Sequence, residues 1–254
     1  AADASDPNGF GGMPFHLVET GRHMGVITGG FPFKLNGWRM RVDRLSWNLL
    51  AFARTGRHGG YQYSETFLNQ MWKTAIRPDG NLTIINLFQL FPEREMQKRS
   101  RKIFYLDQSL TEVFGYYGLG SKLSDSWVNK IISKERAQYF AADSIIFRSK
   151  WAADKAISTY GLPDQKVHVV LPGANIDREA LKRFDAKPRR ETDHTTPLKL
   201  LFIGKEWKRK GLDRLLMAMR LVQDEGIPLE LTVVGTQDQT VPSSLTTGLQ
   251  ITWA

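Results

Sequence analysis

The 254-residue chain has no cysteine, which excludes a disulfide framework and any thiolate metal site. No run approaches the roughly 18 consecutive apolar residues of a membrane-spanning helix. Internal repeats and low-complexity tracts are missing, so a solenoid or a compositionally biased tail is excluded. The sequence holds no Asp-x-Asp. It also holds no G-x-G-x-x-G at its one glycine-rich turn, Gly9-Phe10-Gly11-Gly12, because Pro14 stands where the third glycine would fall. What is present is an ordinary globular composition, 41% hydrophobic, with a net charge of +9. That charge suits nucleic acid, an anionic membrane surface or a phosphorylated substrate equally well. Asn81-Leu82-Thr83 matches the glycosylation sequon, a three-residue pattern with no other sign of secretion beside it.

The densest information lies in residues 198–235. An apolar run, Leu198 to Ile203, stops at Gly204 and is followed by Lys205, Lys208, Arg209 and Lys210. Gly211 then opens a helical pattern carried by Leu212, Leu215, Leu216, Met219 and Val222, and Leu229 to Val234 forms a second apolar run ending at Gly235. The spacing predicts a strand–loop–helix–strand unit of a doubly wound α/β sheet, whose ligands sit at the carboxyl ends of strands. A cationic loop beside a helix N-terminus suits a diphosphate, since side-chain charge and backbone N–H groups point the same way. A solvated basic loop without a ligand is the plain alternative.

Strand and helix signals alternate through the first 170 or so residues, as a parallel α/β sheet requires. Helices are expected over residues 13–25, 38–54, 64–76, 126–142 and 151–160, the last closed by Gly161 and Pro163. Strands are expected over 25–33 (a short VITG), 82–88, 102–106, 144–147 and 167–171. From Asp177 to Pro197 the composition turns polar and charged and reads as a linker. The domains are therefore expected at 1–176 and 198–254. The opening AADASDPNGFGG reads as the exit of a strand and the closing LQITWA as the start of another, so the sequence reads as part of a longer protein.

Four short motifs occur in order: Phe147-Arg148-Ser149-Lys150-Trp151-Ala152-Ala153, Tyr160-Gly161, Lys166-Val167 through Pro172-Gly173-Ala174-Asn175, and Gly204-Lys205-Glu206-Trp207-Lys208-Arg209-Lys210-Gly211. Together they resemble the retaining glycosyltransferases of family 4, strongly from Ala141 to Gly235 and more loosely from Asp6 to Tyr117. The resemblance implies a GT-B fold: two Rossmann-like domains facing a cleft, an N-terminal acceptor side and a C-terminal donor side, here truncated. It implies transfer of a sugar from a nucleotide-sugar donor to a hydroxyl of a glycan, lipid or small molecule, with retention. The family's basic pair against the donor diphosphate falls on Lys210 and on either Lys205 or Arg209, after Gly204. Gly235 lies near the nucleotide, and Gly11, Gly12 and His16 fall on the acceptor side. The family's spaced glutamate pair would lie beyond Ala254. Asp-x-Asp holds the divalent cation in the other major glycosyltransferase architecture. Without it, a metal-independent reaction is expected, in which fixed cations stabilise the departing diphosphate. No cofactor is implied beyond the co-substrate.

Asp107 follows the KIFYL run and is the candidate base or acceptor ligand, with a turn role as the structural alternative. His168 reads as a packing or surface residue, whereas Trp151 and Trp207 read as core residues, with stacking on a base or sugar as the functional alternative. A non-catalytic nucleotide-sugar-binding subunit of the same fold is a second reading, and a nucleic-acid-binding protein a third. The concentration of cations in one loop disfavours nucleic acid as a partner. The expected location is the cytoplasm, with peripheral contact to the cytoplasmic face of a membrane compatible with the basic surface.

Overall fold

The computed structural model describes residues 6–7, 9–30, 37–75, 82–173, 182–183 and 196–254. Most of the expected linker, residues 31–33 of the expected VITG strand, Ala174-Asn175 and Asn81 of the sequon lie outside them. The chain divides into two compact units, Ala1–Ile176 and Asp177–Ala254.

The first unit is mixed α/β. A 3₁₀ turn, Gly9–Gly12, leads into α1 (Met13–His23), followed by α2 (Trp38–Thr55), α3 (Glu65–Ala75), β1 (Thr83–Asn86), α4 (Glu93–Met96), β2 (Arg101–Leu106), α5 (Leu110–Tyr116), α6 (Asp125–Ala141), β3 (Ser144–Phe147), α7 (Lys150–Tyr160) and β4 (Val167–Val169). The four strands form one parallel sheet in the order β1-β2-β3-β4. Phe104, Leu106, Ile145 and Phe147 from the central strands pack with Tyr139 of α6 and with Ala152, Ala153 and Ala156 of α7. Three small residues on one face let α7 lie close against its neighbours. Its ends are sealed locally: Ser149 Oγ accepts from Ala152 N–H at 3.2 Å, and Gly161, at φ 67°, donates its N–H to Ile157 O. A second cluster joins Tyr61, Tyr63, Phe67, Leu68, Leu110, Phe114 and Ile131.

The expected strand after α1 is not one over the described residues 26–30. Val26 and Ile27 both donate their N–H groups to Gly21 O, at 2.9 and 3.1 Å, so the chain folds back on the end of α1. The strand expected over 167–171 ends at Val169, although Val170 N–H still donates to Phe147 O.

The second unit contains β5 (Leu198–Ile203), α8 (Leu212–Asp224), β6 (Leu229–Val234), α9 (Ser243–Thr246) and β7 (Ile251–Trp253). Its parallel sheet runs β5-β6-β7, with β5 and β6 paired from Leu198↔Leu229 to Ile203↔Val234. Phe202, Leu231 and Val233 meet Leu212, Leu216 and Met219 of α8 in one core. Leu201 and Ile203 on the opposite face of β5 are exposed.

Candidate functional site

The carboxyl ends of β5 and β6 carry two glycines side by side. Gly204 N–H donates to Val234 O at 2.9 Å, and the Thr236 hydroxyl donates to Gly204 O. Gly235 sits at φ 84°, and a Cβ there would lie 3.5 Å from the Gly204 carbonyl and 3.8 Å from Lys205 Cγ. A Cβ on Gly204 would lie 3.1 Å from Lys210 Cγ. The stems of Lys205 and Lys210 therefore pass close to the two strand ends. No salt bridge among the described residues engages Lys205, Lys208 or Lys210.

Arg209 differs from them. Its Nε and Nη2 donate to the Glu206 carboxylate at 2.7 and 3.2 Å, and the guanidinium holds that exposed carboxyl below its ordinary pKa. A sequence signal for this exists, because Glu206 stands three residues before Arg209. Of the two candidates for the second phosphate cation, Lys205 is the one whose stem lies at the strand ends and whose charge lacks a carboxylate partner among the described residues. Helix α8 starts from Gly211 at φ 81° with no side-chain cap, but its first amide is already engaged, since Leu212 N–H donates to Trp207 O at 2.9 Å. The remaining first-turn N–H groups carry the positive potential of the helix start. Asp213, in that first turn, has a buried Oδ1 without a hydrogen-bond partner among the described residues and reduces this potential. Trp207 packs against the core of its unit.

In the first unit, the ends of β2 and β3 bring Asp107 and Arg148 together. Arg148 Nη2 lies 3.1 Å from Asp107 Oδ2, with Arg148 22% and Asp107 57% exposed. The loop after Asp107 is fixed from beneath by a residue that the sequence motifs do not single out, Glu135. This carboxylate is fully buried in α6 and accepts from Leu110 N–H with both oxygens, at 3.0 and 2.9 Å. It also accepts from the Tyr139 hydroxyl at 2.7 Å and from the Tyr160 hydroxyl, which sits 2.7 Å from Thr111 Oγ1. Burial raises the Glu135 pKa to about 7, against the lowering effect of those donors. No local pattern in the sequence marks this, because the partners come from α5, α6 and α7.

Of the candidate acceptor residues Gly11, Gly12 and His16, Gly12 and His16 lie close together. Gly12 has φ 77°, and a Cβ on it would stand 2.7 Å from Pro7 O and 3.1 Å from the His16 ring. The left-handed backbone and the close carbonyl require glycine here. Gly12→Ala is expected to destabilise the unit by about 2 kcal/mol or more. Thermal unfolding checks this, and a change within about 0.5 kcal/mol would mean that the turn relaxes freely. His168 is exposed on β4, and Trp151, expected in the core, is instead exposed at the start of α7, where the small residues Ala152, Ala153 and Ala156 take the packed face.

A separate open hollow of about 590 Å³ borders Asp238, Thr240, Pro242 and Trp253, and includes none of the loop cations. No group of three or more His, Asp or Glu among the described residues is placed to hold a metal ion. No protein-family model matches the chain, and no curated protein matches it either.

Proposed function

We propose that the loop between β5 and α8 binds the diphosphate of a nucleotide sugar and that the protein is a metal-independent, retaining glycosyltransferase of the GT-B type. The observation that carries this is the placement of the Lys205 and Lys210 stems beside Gly204 and Gly235, at the ends of adjacent parallel strands. Neither ammonium is in a salt bridge among the described residues, although Glu206 lies within electrostatic reach of Lys210. Parallel sheets place ligands at this edge. Glycines at both strand ends leave room for a phosphate to approach the backbone. Fixed ammonium groups stabilise the charge that builds on a departing diphosphate more than they stabilise the bound ground state. Gly235 borders the nucleotide, Gly11, Gly12 and His16 take the acceptor, and Asp107, held by Arg148, orients an acceptor hydroxyl or takes its proton.

Binding of a nucleotide sugar without transfer is the second reading. The Asp107–Arg148 ion pair favours it, because it already occupies one carboxylate oxygen. Equilibrium dialysis against a panel of radiolabelled nucleotide sugars, followed by incubation of bound donors with hydroxyl acceptors, separates the readings. Retention of one donor, competition by its nucleoside diphosphate and a glycosylated product support the enzyme. Retention without product supports the binding protein. Tight RNA binding with no retained nucleotide sugar overturns both.

A further inference from the structure

Helix α2 shows a surface that the nucleotide site does not account for. It is 18 residues long, and none of its residues is buried. One face is nevertheless held firmly. Trp47 Nε1 donates to Gly59 O at 2.9 Å, Asn48 Oδ1 accepts from Gly59 N–H at 3.1 Å, and Gln70 Nε2 donates to Asp43. Met40 and Trp47 pack on the aromatic cluster beneath. The opposite face carries Trp38, Val42, Leu45, Leu49 and Phe52, all exposed, Trp38 at 74%. Their steps of four, three, four and three place all five in one stripe along the helix. Arg39 and Arg41 flank the stripe, Arg44 and Arg54 stand nearer the body, and the one acidic residue of the helix, Asp43, points inward to Gln70.

We propose that this face of α2 is a membrane-docking surface, laid flat on a bilayer rich in anionic lipid. An apolar stripe flanked by cations fits the boundary between acyl chains and anionic headgroups, with Trp38 at the headgroup level. The helix lies on the membrane and does not cross it. No helix among the described residues is long and apolar enough to span one. A second copy of this chain is the poorer occupant. Two such faces packed together would offer Arg39 and Arg41 no counter-ion, because no acid lies on the stripe. The proposal does not rest on the nucleotide reading.

Co-sedimentation with vesicles of phosphatidylcholine alone, or of phosphatidylcholine mixed with phosphatidylglycerol, tests it. The full chain is expected to pellet with the mixed vesicles and to stay in the supernatant with phosphatidylcholine alone. Leu45→Gln/Leu49→Gln, on exposed positions, should weaken partitioning roughly 100-fold, about tenfold for each leucine. Arg39→Gln/Arg41→Gln should weaken it roughly 25-fold, about fivefold for each charge. Unchanged circular dichroism confirms that both variants fold. Partitioning that neither variant alters overturns the proposal, as does failure to pellet with either vesicle. Concentration-dependent dimerisation in solution that the leucine variant abolishes would assign the face to a second copy and likewise overturn it.

Discussion

Replacing Glu135 with alanine is expected to lower the unfolding free energy of the chain by about 4 kcal/mol, since each buried donor left unsatisfied costs about 1–3 kcal/mol. Glu135 serves three donors, the Leu110 amide and the Tyr139 and Tyr160 hydroxyls. On its loss, Tyr160 can turn to Thr111 Oγ1, but Leu110 and Tyr139 have no such recourse. A deficit of this size is a large share of the roughly 5–15 kcal/mol that holds a typical domain together. Urea titration followed by tryptophan fluorescence measures it, and a loss below about 1 kcal/mol would show that the donors find other partners.

The same residue sets a pH dependence whose sign is fixed. Its pKa rises from 4.5 to about 7 on folding, so the native state holds the proton more tightly than the unfolded chain. The protonated acid can donate to Tyr160, which in turn donates to Thr111, so the network reverses without losing bonds. The stability due to this group is complete below pH 4.5 and is lost as pH rises through about 7. The loss is on the order of 3 kcal/mol, since each tenfold difference in proton affinity between the folded and unfolded chain is worth about 1.4 kcal/mol. Glu135→Gln keeps an acceptor oxygen and removes the titration. The wild-type minus Glu135→Gln stability difference should therefore fall between pH 4.5 and about 7 and be flat above. A flat difference throughout contradicts the assignment.

Lys210→Ala is expected to raise the Kd for a nucleoside diphosphate roughly 10- to 100-fold, the value of one hydrogen bond to a charged group. Lys205→Ala should have a similar effect. Arg209→Ala should change it less than about threefold, because Glu206 already holds that guanidinium and an exposed pair contributes little. Isothermal titration calorimetry at fixed salt distinguishes the three. These side chains are exposed, so stability should stay within about 0.5 kcal/mol of wild type. Equal losses at all three positions would indicate a diffuse basic surface instead of a defined pair.

Much of the α/β framework was legible in the sequence because its elements carry their own punctuation. The run LKLLFI ends in glycine, α8 repeats leucines at helical spacing, and α7 lies between the Ser149 cap and the Gly161 terminator. Helix α5 escaped notice because it is one short stretch, LTEVFGY, with a glycine inside. Its first amide is satisfied by Glu135, 25 residues away, which no local window contains. Helix α2 was legible as a helix but not in orientation. Met40 and Trp47 on one side and Leu45, Leu49 and Phe52 on the other are all apolar, so periodicity left the core face undecided. Packing on Tyr61 and Trp127 decides it. At the loop site, residue types suggested a phosphate and left Lys205 and Arg209 as equal candidates; the Glu206 carboxylate bound to Arg209 is what favours Lys205 in the proposed site.

The proposed diphosphate site is the loop between β5 and α8. Amide chemical-shift mapping of the deuterated, ¹⁵N-labelled chain during titration with a nucleoside diphosphate, compared with the nucleoside alone, tests it most directly. Shifts are expected to centre on Gly204 to Arg214 and on Gly235 and Thr236, present with the diphosphate and weak with the nucleoside. Shifts centred elsewhere, or none at millimolar ligand, would contradict the proposed site.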